Sequence, residues 1–399
     1  MTAPIPKGYK RTEVGVIPEE WEVKPLKNIA KVKGGKRLPK GFVLVSVPTS
    51  HPYIRVSDMF MGGVNAENLL YVPNEAYRYI QDYRIYSADI FISVAGSLGI
   101  VGKIPQELDG ANLTENADRI TEISCDRDYL LYCLSSRFIQ QLIQSYMTIG
   151  AQPKLAIARI QEFPVVVPPT IEEQQAIAAA LGDVDSLLAA LDRLIAKKRA
   201  VKAAVMRDLL TGRVRLPGFE GEWDESTLGN VCEHIYKGEQ VNRNTLSPDG
   251  SYPVWNGGIE PSGFTEKWNT DAFTITISEG GNSCGFVNFV KQKFWLGGHC
   301  YALRPKFSII SKEFLFFALK FRESEIMSLR VGSGLPNIQH SRIRALVITF
   351  PPLPEQTAIA VALSDLDAEL DALERERAKW QAVKQGMMDD LLTGRVRLV

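Results

Sequence analysis

One stretch of this sequence occurs twice, and it limits the folds that the rest of the chain can adopt. Residues 173–216 and 355–398 match at a constant offset of 182 positions, and 28 of their 44 aligned positions are identical. Self-similarity of this extent indicates a repeated structural unit. The two copies divide the 399 residues into two blocks, each followed by the same segment.

Both copies have the sequence features of long α-helices. Thr170 and Glu173 predict a capping box at the start of the first, in which a hydroxyl and a carboxylate satisfy free backbone N–H groups. Gly212 and Gly394 supply a residue that leaves a helix with positive φ. Forty residues at 1.5 Å each give a rod of roughly 60 Å, which is far longer than an ordinary globular helix.

Apolar residues in both copies alternate at spacings of four and three, which is typical of a coiled-coil seam. The shared register favours two helices that pair with each other in opposite directions. The alternative is two unrelated helices, each packed on its own domain. The residues predicted to pair the helices are Leu181, Val184, Leu188 and Leu191 in the first copy and Leu363, Leu366, Leu370 and Leu373 in the second.

The blocks in front of the helices diverge in sequence but share a skeleton of short β-branched strands and glycine turns. The shared elements are a strand that runs into a glycine loop (89–93 and 274–278), a helix (128–146 and 312–329) and a final strand (163–167 and 345–350). Both final strands end in Pro-Pro, which terminates sheet pairing. Each block is therefore predicted to be a mixed α/β domain.

The last residues of the sequence would continue smoothly into the first. After the first helix, the sequence TGRVRL leads to a tryptophan, Trp223, through a Pro-Gly-rich stretch, and residues 8–21 look like the equivalent continuation after the second helix. This predicts a circular, pseudo-twofold organisation with both termini at one place. The predicted fold class is α+β, with two mixed α/β domains joined by two long antiparallel coiled-coil helices.

Composition excludes several classes of protein. The 46 basic and 46 acidic residues give a pI near 6.9, so a DNA partner would require basic residues concentrated on one face, or charge from another subunit. No apolar run of about 18 residues is present to span a bilayer, and the N-terminus lacks the apolar core of a signal peptide. The five scattered cysteines have no CxxC spacing, which predicts reduced thiols in a cytoplasmic protein.

No motif forms a catalytic or metal-binding constellation. Residues 94–103 resemble a phosphate loop, but the glycines are one residue too far apart for GxxxxGK, and Ile104 stands where Ser or Thr would bind magnesium. The tetrapeptide of amino-methyltransferases and the PD…ExK signature of nucleases are both missing. His234 and His299 lie near cysteines without a CxxC or HxxxH partner, which favours core or surface roles.

Two loops have a composition that suits DNA. In the first block basic residues frame a Gly-Gly turn, and the equivalent loop of the second block combines Lys, Arg and Asn. Arg reads guanine and Asn reads adenine in the major groove. For any single residue the alternative is a solvated charged loop. The predicted DNA-binding residues are Lys33, Lys36, Arg37, Arg55 and Ser97 in the first block and Lys237, Asn242, Arg243, Asn244 and Ser283 in the second.

The pattern as a whole resembles the specificity subunit of type I restriction–modification systems. The motifs that carry the resemblance are Pro168-Pro169 before Glu173-Gln174, Pro351-Pro352 before Glu355-Gln356, and the two Asp-Leu-Leu-Thr-Gly-Arg tails. The resemblance covers essentially the whole chain. The segment between Pro-Pro and Glu-Gln is one residue longer in the first copy, so the internal symmetry is imperfect there.

The resemblance implies two target recognition domains, 1–169 and 217–352, each reading one half of a split, asymmetric site in double-stranded DNA. Helices 170–216 and 353–399 would set the spacing and dock two modification (methyltransferase) subunits, which two restriction subunits then join. This chain would be non-catalytic and would bind no cofactor or metal. S-adenosylmethionine, ATP and Mg are expected on the partner subunits, and no membrane is involved.

Two other functions remain open at this point. The chain could be the recognition subunit of a different defence or methylation complex that has the same architecture. It could also be a coiled-coil scaffold that does not bind DNA.

Overall fold

The computed structural model describes residues 5–146, 154–332, 334 and 336–398. The chain divides into two compact units. Unit 1 comprises Met1–Ala190 together with Arg377–Val399, and unit 2 comprises Leu191–Glu376. Each unit therefore contains one of the two blocks and part of each long helix.

Unit 1 is built on two four-stranded sheets. Its strands are β1 (Tyr9–Thr12), β2 (Gly15–Pro18), β3 (Glu22–Pro25), β4 (Lys31–Gly34), β5 (Pro52–Ile54), β6 (Met59–Phe60), β7 (Gly63–Val64), β8 (Leu70–Tyr71), β9 (Arg84–Ile85), β10 (Ile90–Ser93), β11 (Val101–Lys103), β12 (Ala111–Leu113), β13 (Ala117–Thr121) and β14 (Pro164–Val167). One sheet is antiparallel, with the order β11-β10-β13-β4, and the other has the order β8-β5-β12-β9 with β5 parallel to β12. Every residue of β10 is buried, as expected for an apolar strand inside a sheet.

Unit 1 also contains several helices. They are α1 (Asn74–Tyr77), α2 (Arg127–Ser135), α3 (Arg137–Ser145), α4 (Ile157–Gln161) and the first part of α5 (Ile171–Leu210), with 3₁₀ turns at Leu26–Asn28, Val56–Asp58 and Gln106–Leu108. The prediction of one helix over 128–146 is wrong. Ser136 takes an extended conformation, and its hydroxyl accepts a hydrogen bond from the Ile139 N–H, so it caps a second helix.

Unit 2 repeats the antiparallel sheet. Its strands are β15 (Asp224–Thr227), β16 (Cys232–Lys237), β17 (Tyr252–Trp255), β18 (Phe264–Thr265), β19 (Thr274–Ser278), β20 (Val287–Val290), β21 (Trp295–Leu296), β22 (Cys300–Pro305) and β23 (Val347–Phe350). The main sheet has the order β16-β22-β19-β20, and a smaller one has the order β18-β17-β21. The predicted strand at 274–278 is confirmed as β19.

The helices of unit 2 show the same break as those of unit 1. They are α6 (Leu228–Val231), α7 (Lys312–Phe321), α8 (Glu323–Ser328), α9 (His340–Arg344) and the first part of α10 (Leu353–Leu391), with a 3₁₀ turn at Arg243–Thr245. The single helix predicted over 312–329 is therefore also wrong. Arg322 leaves helical geometry between α7 and α8, at a ψ of 15°.

The two long helices span 40 and 39 residues, as the repeat predicts. Gly212 and Gly394 follow their ends with φ of 68° and 66°, in the region that favours glycine. Within each unit the helices run antiparallel. In unit 1 this brings Asp185 to Lys384, with an Oδ1–Nζ distance of 2.5 Å.

Polar residues that interrupt the apolar seam form ion pairs between the helices. In unit 2, Lys202 pairs with Asp367 and Lys198 pairs with Glu369 at 2.6 Å. Six of the eight predicted pairing residues are buried, and their role in pairing stays a prediction. The buried ones are Leu181, Val184, Leu188, Leu191, Leu363 and Leu370, while Leu366 and Leu373 are half-buried.

A buried ion pair joins the start of one long helix to the segment that follows the other, once in each unit. In unit 1, Glu173 is 1% exposed and accepts hydrogen bonds from Nε (2.7 Å) and Nη2 (3.0 Å) of Arg397. In unit 2, Glu355 is 1% exposed and accepts from Nε (2.5 Å) and Nη2 (2.6 Å) of Arg215. We call these two pairs the helix-end clamps.

The helix-end clamp of unit 1 replaces one half of the predicted capping box. The hydroxyl half is present, because the Glu173 N–H donates to Thr170 Oγ1 at 3.2 Å. The carboxylate half is wrong, because the guanidinium of Arg397 supplies two charged donors, which form stronger hydrogen bonds than a backbone N–H.

Residues near the N-terminus pack around the clamp of unit 1. Trp21 is fully buried, and the Arg397 guanidinium lies 6.0 Å from its ring centroid. The Tyr9 hydroxyl donates to the carbonyl of Gly394 at 3.0 Å. The predicted meeting of the first and last segments is therefore confirmed, and in unit 2 Trp223 packs in the same way.

The glutamine beside each clamp ties the long helix to its own domain. Gln174 accepts from the Asp126 N–H (2.8 Å) and donates to the Pro168 carbonyl (3.1 Å). Gln356 accepts from the Ser311 N–H at 2.7 Å. Asp126 and Ser311 are the N-caps of α2 and α7, so the Glu-Gln pair of the repeat fixes both the opposite helix end and the domain.

Replacing Arg397 by methionine would leave the Glu173 carboxylate buried without its cation. We expect the free energy of unfolding of unit 1 to fall by about 2–3 kcal/mol, less than a fully buried pair would lose, because the guanidinium is 32% exposed. Urea unfolding followed by near-UV circular dichroism, with hydrogen exchange at 173–185, measures the change. The control is Arg395→Met, which breaks an exposed pair with Asp390. Equal losses in the two variants would contradict the assignment.

Candidate nucleic-acid interface

The main sheets of the two units place equivalent loops at the same sheet end. In unit 1, β10 leads into the glycine loop 94–99, and in unit 2, β19 leads into the glycine loop 279–285. The neighbouring chain segments are those that follow β4 and precede β13 in unit 1, and those that follow β16 and precede β22 in unit 2. We call this set of loops the loop edge of each unit.

A glycine is required where the chain leaves the sheet at each loop edge. A Cβ on Gly35 would lie 2.0 Å from the Thr114 carbonyl oxygen, and a Cβ on Gly238 would lie 2.0 Å from the Leu296 carbonyl oxygen. No side chain fits at such distances. At Gly35 the backbone is in direct contact with the segment before β13, and at Gly238 with the segment before β22. The two loop edges therefore share one backbone design.

Two of the predicted DNA-binding residues lie together at the loop edge of unit 1. The Lys36 N–H donates to the Leu113 carbonyl at 2.8 Å, and Arg37 pairs with Glu115 at 3.1 Å. The Tyr53 hydroxyl supports this loop by donating to the Lys36 carbonyl at 3.0 Å. Burial raises the pKa of Tyr53 to about 12, so it remains a donor across the physiological range.

Ser97 and Lys33 lie on either side of this pair. Ser97 is exposed in the glycine loop, and its carbonyl accepts from the Ser93 hydroxyl at 2.5 Å. Lys33 lies within β4 and pairs with Glu122 at 3.1 Å. Ser97 is thus free to meet a ligand with its side chain, whereas Lys33 shares its charge with a carboxylate.

Arg55 is the least available of the predicted residues. Its Nε and Nη2 donate to the two carboxylate oxygens of buried Asp58 at 2.9 and 2.6 Å, and Nη2 also donates to the Asn68 carbonyl at 3.0 Å. These hydrogen bonds raise the pKa of Arg55. Such a bidentate pair fixes the loop after β5, and it competes with any base for the guanidinium.

At the loop edge of unit 2, Lys237 and Ser283 lie in the predicted region. The Lys237 Nζ is 2.6 Å from Glu279 Oε1 and 5.8 Å from the ring centroid of Tyr301. The Ser283 hydroxyl donates to the Gly257 carbonyl at 2.5 Å. Ser283 therefore holds two loops together instead of presenting a free hydroxyl.

The remaining predicted residues lie at the short 3₁₀ turn after β16, which spans Arg243–Thr245 and directly follows Asn242. Asn242 and Asn244 are exposed, and the Asn242 side-chain oxygen accepts from the Asn244 N–H at 3.1 Å. The side chain of Arg243 lies outside the described residues. This turn presents amide groups to solvent, as a base-reading loop would.

The predicted DNA-binding residues did not include Glu279 or Tyr301 at the loop edge of unit 2, and His299 was predicted to have a core or surface role. Glu279 directly follows β19, Tyr301 donates to its carboxylate at 3.2 Å, and His299 Nδ1 lies 3.9 Å from its second oxygen. Burial and the Glu279 charge raise the pKa of Tyr301. The predicted DNA-binding residues are basic, amide and hydroxyl side chains, and none of them is a carboxylate. The position of Glu279 directly after an alternating strand was the available signal.

Asp118 is the most perturbed carboxyl group near the loop edge of unit 1. It is 4% exposed in β13, and its Oδ2 has no hydrogen-bond partner among the described residues. Burial raises the pKa of Asp118 to about 6, against a smaller opposing effect of Lys154. The sheet therefore contains a carboxyl group that gains a proton just below neutral pH.

The part of the chain that the structure describes holds neither a metal-ligand cluster nor a candidate membrane-spanning helix. It contains no group of three or more His, Cys, Asp or Glu residues arranged to hold a metal ion. None of its helices combines the length and the apolar character that crossing a membrane requires.

A model of the type I restriction modification DNA specificity domain matches this chain twice, over residues 18–198 and again over 220–380. The chain belongs to this family. The specificity subunit predicted from the sequence is thereby confirmed, with its function in recognising DNA target sites and its non-catalytic character.

Individual relatives resemble nearly the whole chain. The putative type I restriction enzyme MjaX specificity subunit of Methanocaldococcus jannaschii is 27% identical, and the alignment covers 98% of this chain and 97% of that protein. The StySPI specificity subunit of Salmonella potsdam is 24% identical, with 91% and 85% covered. The crystal structure of the S subunit from M. genitalium matches with a TM-score of 0.64 at 20% identity, covering 93% and 96%. The specificity-subunit fold is therefore confirmed.

The raised pKa of Asp118 predicts that the stability of this specificity subunit depends on pH. Because the native pKa is about 6 and the unfolded value about 3.9, the native state holds the proton more tightly. The associated stability is complete below about pH 4 and is lost as the pH rises through 6. The effect of Asp118→Asn on the free energy of unfolding should therefore be more favourable at pH 8 than at pH 4, by on the order of 2–3 kcal/mol.

Urea unfolding at both pH values measures this difference. Asp109→Asn is the control, because Ser87 hydrogen bonds hold the pKa of Asp109 low and the pH effect should have the opposite sign. An Asp118→Asn effect that is the same at both pH values would show that the carboxyl group is ionised in the native state.

Proposed function

We propose that each unit reads one half of a split DNA target, and that the two long helices fix the distance between the halves. The observation that carries this proposal is that the family match occurs twice, once over each block. Both units have the same sheet and the same loop edge but different side chains on it. Two unlike surfaces on one backbone design suit an asymmetric site.

Physical reasons favour a split target over a single compact one. A small domain that reads three or four base pairs binds weakly and competes with a vast excess of nonspecific DNA. Two such domains on a stiff connection add their discrimination and raise each other's effective concentration. A connection of fixed length also fixes the phase of the two half-sites, roughly one turn of DNA apart.

The similarity of the two helical repeats, with 28 of 44 aligned positions identical, supports a role in assembly. Identical surfaces are needed where two copies of one partner bind, and we propose that the helices dock two modification subunits, with two restriction subunits joining the complex. A structure similar to this chain, at a TM-score of 0.57 and 19% identity, comes from a study of complex assembly in the type I system. Partner subunits would supply S-adenosylmethionine, ATP and Mg, and the reduced thiols suit the cytoplasm.

In this division of labour the chain selects the site and the modification subunits act on it. They would flip an adenine out of the duplex in each half-site and methylate its exocyclic amine. Lys36 and Arg37 would meet phosphates in unit 1, and the loop edges would meet base edges. Unmethylated sites would then be open to the restriction subunits.

Methylome sequencing tests the split target directly. The full chain is produced with a type I modification subunit in a host without other adenine methylation. We expect methylated adenines within two short defined elements that are separated by a fixed unspecified gap. Methylation within one continuous motif would contradict the proposal, and methylation without the chain would show that the partner selects its own site.

Lys36→Ala tests the phosphate contact. Because a phosphate contact carries no sequence information, we expect affinity to fall roughly three- to tenfold on every DNA sequence, and the salt slope to fall by about 1. Gel shifts of the complex at several salt concentrations measure both. Lys27→Ala, which removes an exposed pair with Glu162 (2.6 Å), should change neither. A sequence-dependent loss in Lys36→Ala would instead indicate a base contact.

A further inference from the structure

Glu279 is fixed at the loop edge of unit 2 by its backbone. Its N–H donates to the His299 carbonyl at 2.9 Å, and its carbonyl accepts from the Ile338 N–H at 2.9 Å. Glu279 is the first residue of the glycine loop 279–285, directly after β19. The position of the carboxylate is therefore set by the sheet, and only the side-chain torsions remain free.

The carboxylate has one occupied oxygen and one open oxygen. Oε1 accepts from the Lys237 Nζ at 2.6 Å and from the Tyr301 hydroxyl at 3.2 Å. Oε2 receives no hydrogen bond from any residue that the structure describes, and His299 Nδ1 lies 3.9 Å from it. The Glu279 side chain is 15% exposed and the His299 side chain is 58% exposed, so the carboxylate is partly accessible beside an exposed imidazole.

The fold does not need a carboxylate at this place. Val94 occupies the equivalent position in unit 1, because the Leu155 N–H donates to its carbonyl at 2.9 Å just as Ile338 does to Glu279. Val94 is buried. The same backbone position accepts a valine in one unit, so the main-chain geometry alone does not require a carboxylate there.

A carboxylate can recognise those bases whose major-groove edge carries a hydrogen-bond donor. Ionised Glu only accepts hydrogen bonds, and in the major groove only cytosine and adenine present donors, the exocyclic amines N4 and N6. An isolated carboxylate would be repelled by DNA phosphates. Lys237 offsets that repulsion while it leaves Oε2 open.

We infer that Glu279 is a specificity-determining residue of unit 2, whose open carboxylate oxygen accepts a hydrogen bond from the exocyclic amine of a cytosine or adenine. This inference rests on the proposed function. Lys237 and Tyr301 are positioning residues that hold the carboxylate. The backbone N–H of His299 donates to Asn256 Oδ1 at 3.1 Å, and we place the His299 side chain beside the same base.

Selection from a DNA library tests this assignment with the full chain bound to its modification subunit. Duplexes randomised over the target are selected by gel shift at one salt concentration, and the wild-type complex gives the preference at each position. In Glu279→Gln, the new amide also donates. We expect the preference at one position to fall roughly five- to hundredfold, with the other half-site unchanged. Glu279→Val, which copies unit 1, should give the same result.

Glu233→Gln is the matched control, because Glu233 pairs with Arg304 (3.2 Å) at the opposite end of β16 from Lys237. It should leave every preference unchanged. A uniform loss of affinity in Glu279→Gln, or no change in either half-site, would overturn the role of Glu279. A wild-type complex without sequence preference would overturn the proposed function instead, so the two failures are distinguishable.

Discussion

In each unit, a buried glutamate at the start of one long helix pairs with an arginine that follows the end of the other, and this pair joins the two helix ends. Glu173 and Glu355 lie in the first turns of the long helices, almost without contact with solvent, and a buried carboxylate needs a cation. That cation comes from Arg397 and Arg215, which follow the end of the opposite helix. The local repeat therefore encodes a long-range connection, since each copy carries both the acid and the base.

Both copies of the repeat carry the same clamp residues, whereas the two loop edges carry different side chains at equivalent positions of the sheet. Strand register places Asp118 opposite Gly34 in unit 1 and Tyr301 opposite Lys237 in unit 2. A fully buried acid in one unit thus corresponds to a tyrosine that supports an exposed salt bridge in the other. The glycines at the start of each loop edge stay the same because backbone contact excludes any side chain. The two units therefore share their clamps and loop-edge glycines and differ in the side chains at the loop edges.

The sequence predicted what is periodic and repeated, and it failed where a distant group competes with a local one. The long helices, their glycine ends and the meeting of the terminal segments follow from the repeat. The carboxylate of Glu173 was assigned to its own helix start because Arg397, 224 residues away, is not a visible competitor in a local window. Ser136 was placed within a helix because apolar spacing continues on both sides of its cap.

The predicted DNA contacts show the same limit. Arg55 looked free, but Asp58 three residues later occupies its guanidinium, and that spacing was present in the sequence. Glu279 was overlooked because a search for phosphate ligands discards acids, although base edges also present donors. Whether a strand residue lies at a loop edge depends on the register between strands that are distant in sequence. Composition contains no information about that register.

The balance of charge on this chain follows from what a specificity subunit has to do. With 46 basic and 46 acidic residues, it gains little of the counterion release that gives strongly basic proteins their nonspecific affinity. At the loop edges, lysine and arginine are paired with Glu115 and Glu279, which reduces phosphate attraction further. Weak nonspecific binding raises the ratio of specific to nonspecific affinity, and that ratio decides occupancy among many competing sites.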